Sequence, residues 1–340
     1  MASLIDLDKG WLLTQLAALI YGQLSKIAHA GLGYGLIAKE EYGFGDRVLG
    51  FLTLIRPIFF ILTPLNAASA AVLALGGYPS LSLCLLGFCA VAFASCAINV
   101  LNDYIDRERD KRIWQDRPIP SGRVKPNEAL LVVVVSLVIS LSTAWFFFNP
   151  LTFFILLLAL IFGCLYSVYL RDRVGYLSLP PIVGLIYLGG WAAFSPETLF
   201  SSILPWYLYL LGVVWQVAHI MVYYPLHITD NRKSGVKVSP AFFFTPSPSA
   251  AVGIGTGFIC LTLLLSALLP LLAPLGILYL VLVLAVGIYA LTSGVRLLRN
   301  TLNQEKGLKA FTSLSIFRLT ISAAILLSVF LAQSLGWVRV

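Results

Sequence analysis

The sequence predicts an all-α integral membrane protein with about nine transmembrane helices, and three observations carry that prediction. Hydrophobic residues make up 59% of the 340-residue chain, and the mean hydropathy is +0.91. Charged residues make up 11%, against roughly 25% in soluble chains. The apolar residues also come in stretches of about twenty, the length a helix needs to cross a hydrocarbon core of roughly 30 Å. Backbone polar groups in lipid are satisfied only within helices or closed barrels, and runs this continuous lack the alternation of barrel strands.

Taken in order, the expected spans lie at about 50–76, 81–102, 128–148, 151–170, 178–194, 203–225, 248–270, 272–293 and 309–335. Residues 47–340 are read as one nine-helix membrane domain. Residues 1–46 form a mixed segment in which Trp11, Leu12, Leu16, Ile20 and Leu24 alternate with polar residues. The expectation there is an interfacial helix, with a re-entrant or flexible arm as the alternative. No basic, apolar and small-residue succession of a removable signal opens the chain. Pro57 and Pro64 in the first span, and Pro180 and Pro181 in the fifth, are expected to kink their helices. Cys84, Cys89, Cys96, Cys164 and Cys260 all fall in apolar stretches. They read as small buried hydrophobes rather than disulfides or metal ligands.

The net charge of +8 has a topological explanation. The connections after spans two, four, six and eight hold sixteen Lys and Arg residues between Arg107 and Lys309, and the opposing loops hold none. The positive-inside rule makes the basic face cytoplasmic, with the N-terminus inside and the C-terminus outside. With no helix-turn-helix, zinc or aromatic RNA-binding signature, nucleic acid is excluded as a partner.

Acidic residues are scarce, yet six of the fifteen (Asp103, Asp106, Glu108, Asp110, Asp116 and Glu128) lie in residues 103–128. Where span two ends, the chain reads NDYIDRERD. Asn102, Asp106 and Asp110 are spaced i, i+4, i+8 and share one helix face, with Asp103 beside it. Stacked carboxylates repel, and a divalent cation with oxygen ligands, Mg²⁺ above all, resolves that repulsion. The alternative is a solvated helix end neutralised by Arg107, Arg109 and Lys111. The following DRPIPSGR favours the first reading. Its prolines and glycine set Arg117 and Arg123 close to the acids, which places guanidinium groups for phosphate oxygens beside carboxylates for a metal.

NDYIDRERD followed by RPIPSGRV resembles the first signature of the UbiA superfamily of intramembrane prenyltransferases, Asn-x3-Asp-x3-Asp before an Arg-Pro-hydrophobic-Pro-Ser-Gly turn. Tyr166-Ser167 in LYSVYLRDR fits as well, and the resemblance covers roughly residues 50–335. It implies a helical bundle around a central cavity. It also implies a prenyl diphosphate held through Mg²⁺ between two aspartate-rich motifs at the cytoplasmic face, and a tunnel for the isoprenoid tail that opens to membrane lipid. The prenyl group then passes to a lipophilic, commonly aromatic acceptor. On that basis the metal ligands are Asn102, Asp103, Asp106, Asp110 and Asp230, with Asp106, Asp110 and Asp230 as the catalytic carboxylates. Substrate contacts are Asn66, Asn102, Arg117, Arg123, Tyr166, Arg171, His227, Asn231, Lys233 and Lys237.

The second motif departs from the family pattern. In HITDNRKSGVK the two expected aspartates fall on His227 and Asn231, and Asp230 stands one place out of frame. Asp230 serves after a small register shift, or His227 and Asn231 hydrogen-bond the diphosphate, or transferase activity is lost. His219, Tyr223 and His227 share a face of span six, suited equally to an acceptor-binding role and to interhelical hydrogen bonds. WQVAH resembles the haem-farnesylating branch, whereas the Asp110–Arg117 spacing fits the general branch, so the haem reading is not adopted. Arg318, deep in span nine, and Asn66, in span one, are costly in lipid and must face the bundle interior. The sequence therefore points to a Mg²⁺-dependent prenyltransferase. A terpene cyclase of the same fold and a non-catalytic scaffold are the alternatives.

Overall fold

The computed structural model describes residues 42–233 and 247–335, and at 113, 172, 176–177, 224–227 and 229–233 it describes the backbone alone. The segment 1–46 lies outside these residues up to position 41. Among the described residues there are helices and turns but no strands.

The first span is two helices, α1 (Phe44–Ile55) and α2 (Pro57–Leu75). Arg56 separates them with φ 54° and ψ 74°, a left-handed conformation. Proline disfavours the α region for the residue before it, and at Arg56 the helix breaks. Pro64 stays inside α2 without ending it. The next helix, α3 (Leu81–Ile113), has 33 residues. At 1.5 Å per residue it is about 50 Å long, so it overruns the hydrocarbon core and carries the acidic motif on its projecting end.

A compact turn joins α3 to α4 (Pro126–Phe147). It is closed by Trp114 N–H on Asp110 O (2.7 Å), Ser121 N–H on Arg117 O (2.9 Å) and Val124 N–H on Pro118 O (3.0 Å). Gly122 sits in it at φ 84°, where a side chain would be strained. Then comes α5 (Pro150–Leu165), which runs into a π-helical turn at Tyr166–Leu170 and a further turn at Arg171–Arg173.

The fifth expected span is a shorter helix, α6 (Pro180–Ala192), of 13 residues. Pro180 and Pro181 open it rather than kinking it, since the first helical turn has no hydrogen bond for proline to remove. At about 20 Å it is too short to span lipid unaided. It is instead buried against its neighbours: a Cβ on Gly190 would lie 2.1 Å from the Ala67 carbonyl oxygen of α2. The bundle is completed by α7 (Leu204–Lys233), α8 (Pro248–Leu268), α9 (Ile277–Leu298) and α10 (Gln304–Ser334). The eighth span starts five residues later than expected, because Pro270, Pro274 and Gly276 hold the preceding segment in tight turns. Among the described residues, eight helical stretches are long and apolar enough to cross a membrane; α1 and α2 count as one. The protein is an integral, multi-pass membrane protein.

The surface is that of a membrane bundle. Phe146, Leu81 and Ile277 are each 75% exposed, whereas Ser69, Ser140, Thr262, Ser266 and Ser322 are buried between helices. Small polar residues let helices approach closely and bond across their interfaces. All five cysteines are free. Only Cys96 is fully buried, and Cys260 lies on the exposed surface, so burial does not explain every cysteine.

Candidate active site

The projecting end of α3 places Asp103, Asp106 and Asp110 together, all at most 5% exposed. Arginines from four directions meet them. Arg56, from the break between α1 and α2, pairs with Asp103. Arg117, from the turn after α3, reaches Asp110 Oδ2 at 2.5 Å and Asp103 Oδ1 at 3.5 Å. Arg109 lies 2.8 Å from Asp106 Oδ2, and Arg171, carried in by the π turn after α5, pairs with the same oxygen. The same turn brings Ser167 Oγ to 3.4 Å from Asn102 Nδ2. One inserted residue in a helix redirects the side chains that follow, and such turns recur at functional sites.

The electrostatics of this cluster favour anions. Four guanidiniums face three carboxylates, and arginine stays charged in proteins. Burial alone would lower the affinity of Arg117 for its proton, but Asp103 and Asp110 outweigh it and hold the group above the ordinary arginine value. Of the remaining cations on this end of α3, Arg112 is exposed and two are spent elsewhere. Arg107 bonds the Tyr104 carbonyl at 2.7 Å and Lys111 bonds Glu108 at 3.0 Å.

Asn102, Asp106, Arg56, Arg109, Arg117 and Arg171 line the mouth of one cavity of about 590 Å³. Tyr166 and Ser167 line it too. Its walls are otherwise largely apolar, and it runs along α3 as far as Cys84. The 22 residues from there to Asp106 correspond to about 33 Å of helix. At the far end Tyr78 donates a 2.5 Å hydrogen bond to the Leu326 carbonyl, and both residues line the cavity. On the α7 side, Tyr223, Phe311, His219 and Trp215 form a ladder of rings with successive centroids 4.8, 4.2 and 4.6 Å apart.

The expected ligands do not form a metal cage by themselves. Among the described residues, no three His, Cys, Asp or Glu side chains converge on one point. Residues three or four apart on a helix share a face but stay about 5–6 Å apart at Cβ, and each carboxylate here is turned toward an arginine. Mg²⁺ nevertheless needs only one or two carboxylates when phosphate oxygens complete its shell. Asp110 Oδ1 is buried without a hydrogen-bond partner, so the donor set fits such an ion.

Two expected substrate contacts are used elsewhere. Arg123 is 3% exposed and braces the turn, with Nε 3.1 Å from Ser121 Oγ and Nη2 donating to the Asp116 carbonyl. Those bonds turn it away from the cavity. Asn66 is fully buried; its Oδ1 accepts from Tyr187 Oη (3.2 Å) and Ser322 Oγ (2.7 Å), joining α2, α6 and α10. His227, Asp230, Asn231 and Lys233 occupy the last turns of α7, where their side chains lie outside the described residues, as does Lys237 entirely. Arg56 was not expected. Its one sequence signal is a charge directly before the proline that opens an apolar span.

Residues 62–335 match the UbiA prenyltransferase family. The protoheme IX farnesyltransferase of Salinispora tropica is 29% identical over 295 residues, covering 80% of this chain and 87% of the relative. That of Hyperthermus butylicus is 30% identical over 179 residues, and the match spans 51% of this chain and only 57% of the relative. The 4-hydroxybenzoate octaprenyltransferase of Photobacterium profundum is 28% identical over 219 residues, covering 62% and 69% of the two chains. Among solved structures, a UbiA homologue from Aeropyrum pernix K1 superposes with a TM-score of 0.63 at 21% identity, covering 78% of this chain and 97% of that one. A UbiA homologue from Archaeoglobus fulgidus bound to GPP and Mg²⁺ gives 0.56 at 21% identity, covering 82% and 99%. At that identity the likeness is one of fold. The long cavity with an acidic and basic mouth and the family match over four-fifths of the sequence agree, and the chain belongs to the UbiA prenyltransferase family.

Proposed function

We propose that the protein transfers a prenyl group from a prenyl diphosphate to a lipophilic, aromatic acceptor at the mouth of the cavity, on the cytoplasmic side. One observation carries this reading: a cluster of carboxylates and guanidiniums stands at one end of an apolar channel about 33 Å long. A diphosphate with a long hydrocarbon tail has that same division of polarity.

In this reading Arg56, Arg109, Arg117 and Arg171 exchange their carboxylate partners for phosphate oxygens. Asp106 and Asp110, together with Asn102 and Asp230, would hold Mg²⁺. The ion supplies charge neutralisation for the departing diphosphate. The allylic C1–O bond breaks with its electron pair leaving on the diphosphate, where the four guanidiniums stabilise the charge as it develops. Tyr223 and Phe311 line the cavity and help to keep water from the allylic cation. The acceptor ring forms the new C–C bond and then loses its proton. The relatives are named for two different acceptors, protoheme IX and 4-hydroxybenzoate, so an aromatic acceptor is the reading they support in common.

The test is release of diphosphate from geranyl diphosphate by the purified protein with Mg²⁺ and 4-hydroxybenzoate. Asp106→Ala is expected to reduce release to background. Wild-type-like turnover in that variant removes Asp106 from the chemistry, and no release by the wild type favours a non-catalytic lipid-binding scaffold.

A further inference from the structure

A second cationic centre lies deeper in the bundle. Arg318 sits fourteen residues into α10, about 21 Å along the helix from its start. It is 4% exposed and lines the cavity. A charge at that depth is costly and persists where it has a task. Among the described residues no carboxylate pairs with it. Its guanidinium lies over the Trp215 ring, 4.5 Å from the centroid. Nε and Nη2 remain buried without a hydrogen-bond partner. Those two nitrogens present parallel N–H bonds on one edge of the guanidinium, the edge that takes a carboxylate in bidentate fashion.

The surroundings are aromatic. Trp215 is the deepest ring of the ladder that ends at Tyr223, and Tyr223 lies close enough to Arg117 to act on its charge. Eight residues of α7 separate Trp215 from Tyr223, about 12 Å. His219, Tyr223 and Phe311 line the cavity together with Arg318, so an acceptor held at Arg318 lies in the same cavity as the diphosphate cluster.

We propose that Arg318, stacked on Trp215, binds a carboxylate of the acceptor and so directs the acceptor's ring toward the diphosphate end of the cavity. This deepens the transferase reading and rests on it for the word acceptor. The carboxylate site itself stands on the geometry of Arg318. A diphosphate suits the position less well, because one guanidinium edge offers two donors whereas the mouth offers four arginines.

The test compares 4-hydroxybenzoate with 4-hydroxybenzamide, which have the same shape and differ in charge. Binding is followed by quenching of tryptophan fluorescence in the detergent-purified full chain, without turnover. The acid is expected to bind about 10–100-fold tighter than the amide, the usual worth of hydrogen bonds to a buried charge. Arg318→Met should bring that ratio close to one, while Arg318→Lys, which keeps the charge but loses the fork, should retain part of it. General damage to the bundle would weaken both ligands and leave their ratio unchanged. The acid and Mg²⁺-diphosphate should also bind together. A wild-type ratio near one, binding of neither compound, an unchanged ratio in Arg318→Met, or displacement of the acid by Mg²⁺-diphosphate would each overturn the proposal. Failure of diphosphate release alone would remove the transferase reading and leave the carboxylate site to be judged by the binding ratio.

Discussion

Replacing Arg117 by methionine removes the cation that bridges Asp103 and Asp110 while keeping most of the side-chain volume. The two carboxylates do not suffer equally. Asp103 retains Arg56, whereas Asp110, fully buried, retains only Arg109 Nε at 3.9 Å. Breaking a buried pair by deleting one partner costs about 3–5 kcal/mol, because an uncompensated charge stays behind. Arg117→Met is therefore expected to lower stability by about that amount, measured as unfolding in detergent. Adding Asp110→Asn removes the stranded charge and should recover at least half of the loss. Binding should behave differently. A charge-assisted bond to phosphate is worth about 1.5–3 kcal/mol, so the affinity for a non-hydrolysable geranyl diphosphate analogue should fall about 10–100-fold. The second substitution should not restore it. A single variant as stable as the wild type, or a double variant that regains ligand affinity, would refute the bridging role of Arg117.

Three further outcomes follow from the same geometry. Asn66→Leu leaves the Tyr187 and Ser322 hydroxyls without their acceptor and should cost about 1–3 kcal/mol of stability. Diphosphate release at saturating substrate should survive this change, and its loss would return Asn66 to the site. Gly190→Ala puts a methyl group 2.1 Å from the Ala67 carbonyl oxygen, so α2 and α6 must move apart. Destabilisation of about 1–3 kcal/mol or failure to accumulate is expected, and wild-type melting would show that the two helices are not in contact there. Removing divalent cations with EDTA should abolish diphosphate release, and added Mg²⁺ should restore it; release undiminished by the chelator would dismiss the metal.

The helices and the acidic half of the site were legible in the sequence because both are local patterns. Apolar runs of about twenty residues report how much of each helix lipid must cover, and the i, i+4, i+8 spacing of Asn102, Asp106 and Asp110 reports a shared face whatever lies opposite. The choice between a metal site and a solvated, salt-bridged helix end was also visible there; the structure buries the aspartates, and of Arg107, Arg109 and Lys111 only Arg109 pairs with them. Arg109 and Arg117 are the local members of those pairs.

What only the tertiary structure decided concerns partners brought from other helices. Arg56 and Arg171 stand 47 and 65 residues from the aspartates they meet, and no periodicity along one helix reveals which neighbour will supply a charge. Arg123 and Asn66 show the converse. The turn beside the acids suggested Arg123 and the family resemblance suggested Asn66 as substrate contacts, yet hydrogen bonds in the turn hold one and bonds across α2, α6 and α10 hold the other. In lipid an unpaired polar group is costly, so each such side chain takes the partner that packing brings within reach. The sequence alone thus determined a membrane helix bundle with a charged mouth. Packing decided which arginines face the aspartates, and it left one edge of Arg318 without a partner in the cavity wall.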